Sequence, residues 1–177
     1  VVGVPATLRE QAELERLPGF LVNTLPVRTR VEGALSFVEL LARVRESALD
    51  AFEHKQAPFE RVLAALRPAL DPARTPLFQV MFDHRAGLAH GLALEGLTSG
   101  RLLGEDELHS GTSKVDLALY TELTGGELVL AAEYRADLFD ELTIARLLER
   151  LEVLLRGVAA HPHARVDELP WLGAEER

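Results

Sequence analysis

The chain contains no cysteine, one methionine and one tryptophan, and aromatic residues make up 6% of its 177 positions. Without cysteine there is no disulfide framework and no thiolate metal site, and the composition fits a reducing, cytoplasmic setting. No apolar run nears the roughly 18 residues needed to cross a bilayer, and "VVGVPATLRE" lacks the basic stretch and apolar core of a targeting leader. Cations are also short: Lys+Arg 19 against Asp+Glu 28 leaves a net charge of −9. Phosphate backbones and anionic membranes are repelled by such a chain, so neither nucleic acid nor membrane is an expected partner. There is no glycine-rich phosphate loop, no G-x-G-x-x-G after a strand and no G-x-S-x-G elbow, which sets aside nucleotide-dependent and serine-triad chemistry. "HPH" at 161–163 offers two imidazoles but no third ligand nearby, so no metal is expected.

What remains is enough apolar residue for one core. A chain of this length buries about 70% of its unfolded surface as a single domain. "VVGVP" reads as a buried strand, and residues 19–31, rich in β-branched residues and ending in alternation, as a second. Ser36 is placed to cap a helix whose stripe is Phe37, Leu40, Leu41, Val44, Ala48 and Phe52, with Glu39, Arg43, Arg45, Glu46 and Asp50 on the wet side. A second, shorter helix follows, with Pro58 in its first turn and Phe59, Val62, Leu63 and Leu66 as its buried face. Residues 76–82, "PLFQVMF", predict a strand covered on both faces. Residues 87–111 mix glycines with short apolar pieces and predict loops and a brief strand, either mobile or satisfied against another copy of the chain. Residues 114–135 predict a hairpin around "TGGE", residues 140–160 a long helix, and the remainder an extended tail.

Three stretches in this order, "LPGFLVNTLPVR", "HKQAPFE" and "DPARTPLFQVMF", resemble consecutive signatures of the condensation domains of nonribosomal peptide synthetases. "SKVDLALY", "EYRADLFDELTI" and "LPWLGAEER" resemble the remainder of that domain and its exit toward the next one. The resemblance implies an α/β (α+β sandwich) fold: the C-terminal lobe of a chloramphenicol acetyltransferase-like two-lobe architecture, with a mixed sheet packed by helices. It places that lobe at residues 1–165 and a linker at 166–177. It implies acyl transfer between substrates held as phosphopantetheine thioesters on donor and acceptor carrier proteins, beside an adenylation domain. The chain itself is expected to bind no cofactor. The family's His-His-x-x-x-Asp-Gly motif does not occur here, so no catalytic residue is expected in this chain and the histidine is expected in the N-terminal lobe. The structural signature falls on Phe20, Asn23, Pro58, Phe59, Pro76 and Phe78.

Two roles are open for Asn23: a strand-end asparagine bonded to nearby backbone, or a group facing the tunnel that orients acyl substrates. For His54 the bland reading is a ring that caps carbonyls at the end of the preceding helix. Leu21 and Ala57 depart from the family pattern, which has an aromatic and an aspartate at these places. A non-catalytic relative that recruits a partner is the alternative to half of an enzyme.

Overall fold

The computed structural model describes residues 1–69, 71, 74–86 and 111–173. The expectation for residues 87–111 falls almost wholly outside them. Among the described residues, five strands form one mixed sheet in the order β2-β1-β3-β4-β5, where β1 is Val2–Thr7, β2 Val22–Val27, β3 Val80–Ala86, β4 Leu117–Thr124 and β5 Glu127–Tyr134. The central strands β1, β3 and β4 run parallel, and the antiparallel strands β2 and β5 close the two edges. Helices are α1 (Ala12–Glu15), α2 (Phe37–Glu53), α3 (Phe59–Leu66) and α4 (Glu141–Ala160).

Local chemistry accounts for the boundaries. Ser36 and Glu39 form a reciprocal capping box at the start of α2: the Ser36 hydroxyl accepts from the Glu39 N–H, and the Glu39 carboxylate accepts from the Ser36 N–H. The hairpin turns at Gly125 and Gly126, with φ of 61° and 87°, a pair of left-handed positions that suits a two-residue connection. Pro58 stands one residue outside α3, as its N-cap, where its fixed φ of −58° introduces the first turn.

Register assigns the two faces of the sheet. Gly3 aligns with Met81 and Met81 with Ala118, so these three share a face, while Val2, Val4, Val80, Phe82 and Leu119 share the other. Phe78 lies over Gly3 and forms the core with Val115 and Ala118; Phe59, Leu77, Met81 and Tyr120 pack around them. The rings of Phe59 and Phe78 meet at 5.6 Å, tilted by 54°.

Four expectations are corrected. The strand expected over 76–82 is Val80–Ala86 instead: Leu77 adopts φ 70°, a left-handed turn that swings Phe78 into the core before pairing begins. Its cover on both faces also fails among the described residues, since Val80 and Phe82 are exposed on one of them. The strand expected over 19–31 is confined to Val22–Val27, because its partner β1 runs only from Val2 to Thr7. The tail does not leave extended. The Ala164 and Pro162 carbonyls accept from the Phe37 and Val38 N–H groups at 3.1 Å each, and Arg165 bridges Ser36. Val166–Glu168 makes a 3-10 turn, Leu169 is buried, and Pro170 sits against Gly157. α1, a single turn without apolar periodicity, is not foreseen from the sequence.

Candidate functional site

Two of the three signature stretches meet at Asn23, and the third joins them through the contact of Phe78 with Phe59. At the start of β2, its amide nitrogen donates to the carbonyls of Lys55 at 2.8 Å and Ala57 at 2.7 Å. Its amide oxygen accepts from the backbone N–H of Thr24 at 2.9 Å and of Phe59 at 3.3 Å. Both donors and both acceptor positions of the side chain are therefore engaged. The Phe59 N–H belongs to the first turn of α3 and has no partner within that helix, so Asn23 caps α3 from 36 residues away.

The connector 54–58 is held on all sides. His54 ends α2, and its Nδ1 donates to the Asp50 carbonyl at 2.9 Å, so the capping role expected of it is what the ring performs. Lys55 pairs with Glu10 at 3.0 Å, and Gln56 donates to the other carboxylate oxygen of Glu10 at 2.8 Å. These bonds, that of Lys55 first and then that of Gln56, hold the Glu10 carboxyl below its ordinary pKa. With α2 lining one face of the sheet and Phe59 stacked on Phe78 over the other, the connector carries the chain around the β2 edge. A histidine, a lysine, a glutamine and a Pro-Phe pair serve here because each supplies a bond or an anchor that a glycine turn lacks. Ala57 contributes backbone groups alone, its carbonyl to Asn23 and its N–H to the His54 carbonyl at 3.0 Å, so its short side chain leaves this clamp intact.

The remaining signature residues divide. Phe78 is 3% exposed, and Phe59 is half-buried beside it. Pro76 is half-buried and precedes the left-handed Leu77. Phe20 is 89% exposed and belongs to no core; it stands on a loop whose Leu17 and Gly19 carbonyls accept from Arg9 Nη2 at 3.2 and 2.8 Å. Among the described residues no three His, Asp or Glu side chains form a metal site, and no helix is long and apolar enough to cross a membrane. His84, on β3, shares a 2.8 Å hydrogen bond with the hydroxyl of the buried Thr121.

Among the described residues, a five-stranded mixed sheet with parallel centre and antiparallel edges, flanked by helices, defines an α/β fold. The family model "Condensation domain" matches residues 1–177, and the chain belongs to that family. It is 42% identical over 176 residues to a linear gramicidin synthase protein of Brevibacillus parabrevis, covering 99% of this chain and 2% of that protein. It is 38% identical over 169 residues to chondramide synthase cmdD of Chondromyces crocatus, covering 96% and 4%. The chain thus spans a small part of the synthases it matches. Among solved structures, the X-domain from teicoplanin biosynthesis superposes with a TM-score of 0.80 at 28% identity, covering 97% of this chain and 39% of that one. The first condensation domain of the CDA synthetase superposes with a TM-score of 0.72 at 22% identity, covering 97% and 37%, a likeness of fold.

Proposed function

We propose that residues 1–177 are the C-terminal lobe of a nonribosomal peptide synthetase condensation domain and form one wall of its substrate tunnel. In that tunnel a carrier-bound acyl or peptidyl donor passes to the amine of a carrier-bound aminoacyl acceptor. An amide forms, and the donor's thiol is released on its phosphopantetheine arm. The chain holds no histidine of the family's catalytic motif, so general base chemistry belongs to the N-terminal lobe. The contribution of this lobe is geometric. Asn23 fixes the connector and the first turn of α3, and any role in orienting acyl substrates is exerted through that clamp, because its own donors and acceptors are occupied.

The observation that carries the reading is this convergence: the signature stretches that resemble condensation domains are joined by hydrogen bonds and ring packing into one construction. The partners of the lobe are the N-terminal lobe, donor and acceptor carrier proteins and a neighbouring adenylation domain, in the cytoplasm; phosphopantetheine arrives on the carriers. The test is a domain-length polypeptide containing residues 1–177, mixed with both carriers loaded as thioesters. Formation of the carrier-bound amide is the expected result.

A second reading is favoured by one comparison. A solved complex pairs the X-domain with OxyB from teicoplanin biosynthesis, and that X-domain is 28% identical to this chain. A lobe of this kind in a non-catalytic module would recruit a partner protein. Stable capture of a partner by a domain-length polypeptide that forms no amide would select it.

A further inference from the structure

The two edges of the sheet are finished differently. β2 carries Pro26, which has no N–H to offer a neighbour, and the connector bonded to Asn23 runs beside it. β5, "ELVLAAEY", holds neither proline nor lysine, and its ladder with β4 runs through eight consecutive pairs without a bulge. Among the described residues β5 pairs with β4 alone. The two-residue turn at Gly125 and Gly126 makes Thr124 and Glu127 a hydrogen-bonded pair, and the Arg135 N–H bonded to the Asp116 carbonyl at 3.1 Å keeps that phase at the far end. Odd-numbered residues of β5 therefore bond to β4. Leu128, Leu130 and Ala132 turn their N–H and C=O groups to the outer edge.

A free edge is by itself a hazard and not a site, but this one has a helix beside it. A groove of about 710 Å³ lies between β5 and the flank of α4, with Leu128 and Leu130 on one wall and Leu148 and Leu155 on the other. An open strand edge alongside a helix is the geometry of strand addition, in which an extended segment bonds to the edge and sends alternate side chains into the groove. The other face of the same edge is also apolar at its centre, where Val129 is 51% exposed.

Charge selects the occupant. Glu149 and Glu152 border the groove on α4, and Glu122 and Glu133 stand beside Val129 on the other face. Among the described residues lining these two depressions the single cation is Arg156, and it is bonded to Glu152 at 2.8 Å. A second copy paired through this edge would bring the same carboxylates together, in a chain already at −9. A cationic strand meets carboxylates on both sides.

We propose that the outer edge of β5 and the flank of α4 take up an extended segment of a partner protein in which apolar residues alternate with lysine or arginine. Its apolar side chains enter the groove against Leu130 and Leu148, its main chain bonds to Leu128, Leu130 and Ala132, and its cations reach the four carboxylates. Neither the Asn23 clamp nor amide formation enters into this inference.

The probe is the synthetic peptide acetyl-Lys-Val-Arg-Val-Lys-Val-Arg-amide, added to a domain-length polypeptide and followed by amide-resolved hydrogen exchange. Saturating peptide is expected to slow exchange at Leu128, Leu130 and Ala132 by about tenfold or more, and to leave Val129 and Ala131, already bonded to β4, unchanged. The same peptide N-methylated at its valines keeps the side chains but loses the donors, and is expected to protect nothing. Glu149→Lys, at an exposed position, is expected to weaken the peptide by about two- to fivefold. No slowing at the three amides up to about 1 mM peptide overturns the proposal, and equal protection by the N-methylated peptide does so too. Slow exchange at the three amides before peptide is added also overturns it: protection that persists on dilution would assign the edge to another part of the domain, and protection lost on dilution to a second copy.

Discussion

Asn23 and Phe59 stand 36 residues apart in the chain, and the amide oxygen of the first accepts the backbone N–H of the second at 3.3 Å. This bond makes an edge strand responsible for starting a helix. Together with the bonds to the Lys55 and Ala57 carbonyls and the Thr24 N–H, it leaves four backbone groups depending on one side chain. Asn23→Ala is expected to destabilise the lobe by about 1–3 kcal/mol, the cost of leaving such groups unpaired. Asn23→Asp keeps the acceptors but turns an oxygen toward two carbonyls, and is expected to be no better tolerated. Denaturant melts decide: a variant with the parent's midpoint would show that the connector is held by its other contacts.

Phe59 and Phe78 provide a second check. Phe78→Ala removes a buried ring and is expected to cost about 3–5 kcal/mol, with Phe59→Ala costing less because its ring is half-buried. Their tilted contact predicts a coupling of about 0.5–1.5 kcal/mol in a double-mutant cycle. Strict additivity would place the two rings in separate clusters.

Gly3 is where the sheet makes room for Phe78. A Cβ built at Gly3 falls 2.5–2.8 Å from three atoms of the ring. Gly3→Ala is expected to destabilise by about 1–3 kcal/mol through overpacking, and Phe78→Leu in the same chain to recover part of the loss. Full tolerance of Gly3→Ala would mean that Phe78 does not lie over β1.

The end of the chain is expected to behave as part of the lobe through Leu169. This side chain is 5% exposed, and beyond it Arg150 lies 5.3 Å from the centre of the Trp171 ring. Leu169→Ala is expected to cost about 2–5 kcal/mol, whereas Trp171→Ala, at an exposed ring, is expected to cost much less. Equal and negligible losses would return this segment to the status of a free linker.

Acid sensitivity follows from four carboxylates held below their ordinary pKa: Glu10 by Lys55 and then Gln56, Glu39 chiefly by the Ser36 backbone N–H, Asp137 by Arg135 and Asp167 by Arg165. A carboxylate whose folded pKa is depressed adds stability above its unfolded pKa, near pH 4, and loses it as the pH falls through the folded value. Stability is thus expected to be flat near neutrality and to decline below about pH 4. Glu10→Gln is expected to soften that decline slightly, since the group is exposed. A decline centred near neutrality would point to histidines instead.

The elements legible in the sequence are those whose information is local. α2 announces itself by a stripe every three or four residues and the Ser36 cap, α4 by its leucines, and the hairpin by its glycine pair. What is not legible depends on partners far along the chain. β3 is displaced because Leu77 turns left-handed to deliver Phe78, a need set by Gly3 at the other end of the sheet's sequence. The tail folds back because the first N–H groups of α2 have no acceptor within the helix and donate to the Ala164 and Pro162 carbonyls. Asn23 stands out by family resemblance, yet nothing within a few residues of it shows that its oxygen caps a distant helix. Phe20, equally conspicuous in the signature, faces outward, and no local pattern distinguishes it from Phe59 or Phe78.

The central claim is that this chain is one wall of a two-lobe condensation tunnel whose base lies in the other lobe. It is tested most directly by adding the purified 177-residue chain to donor and acceptor carrier proteins loaded as phosphopantetheine thioesters, beside the domain-length polypeptide, and measuring the carrier-bound amide by intact-protein mass spectrometry. Product is expected with the domain-length polypeptide and none above the carrier-only background with the chain alone; amide formation by the chain alone would contradict the claim.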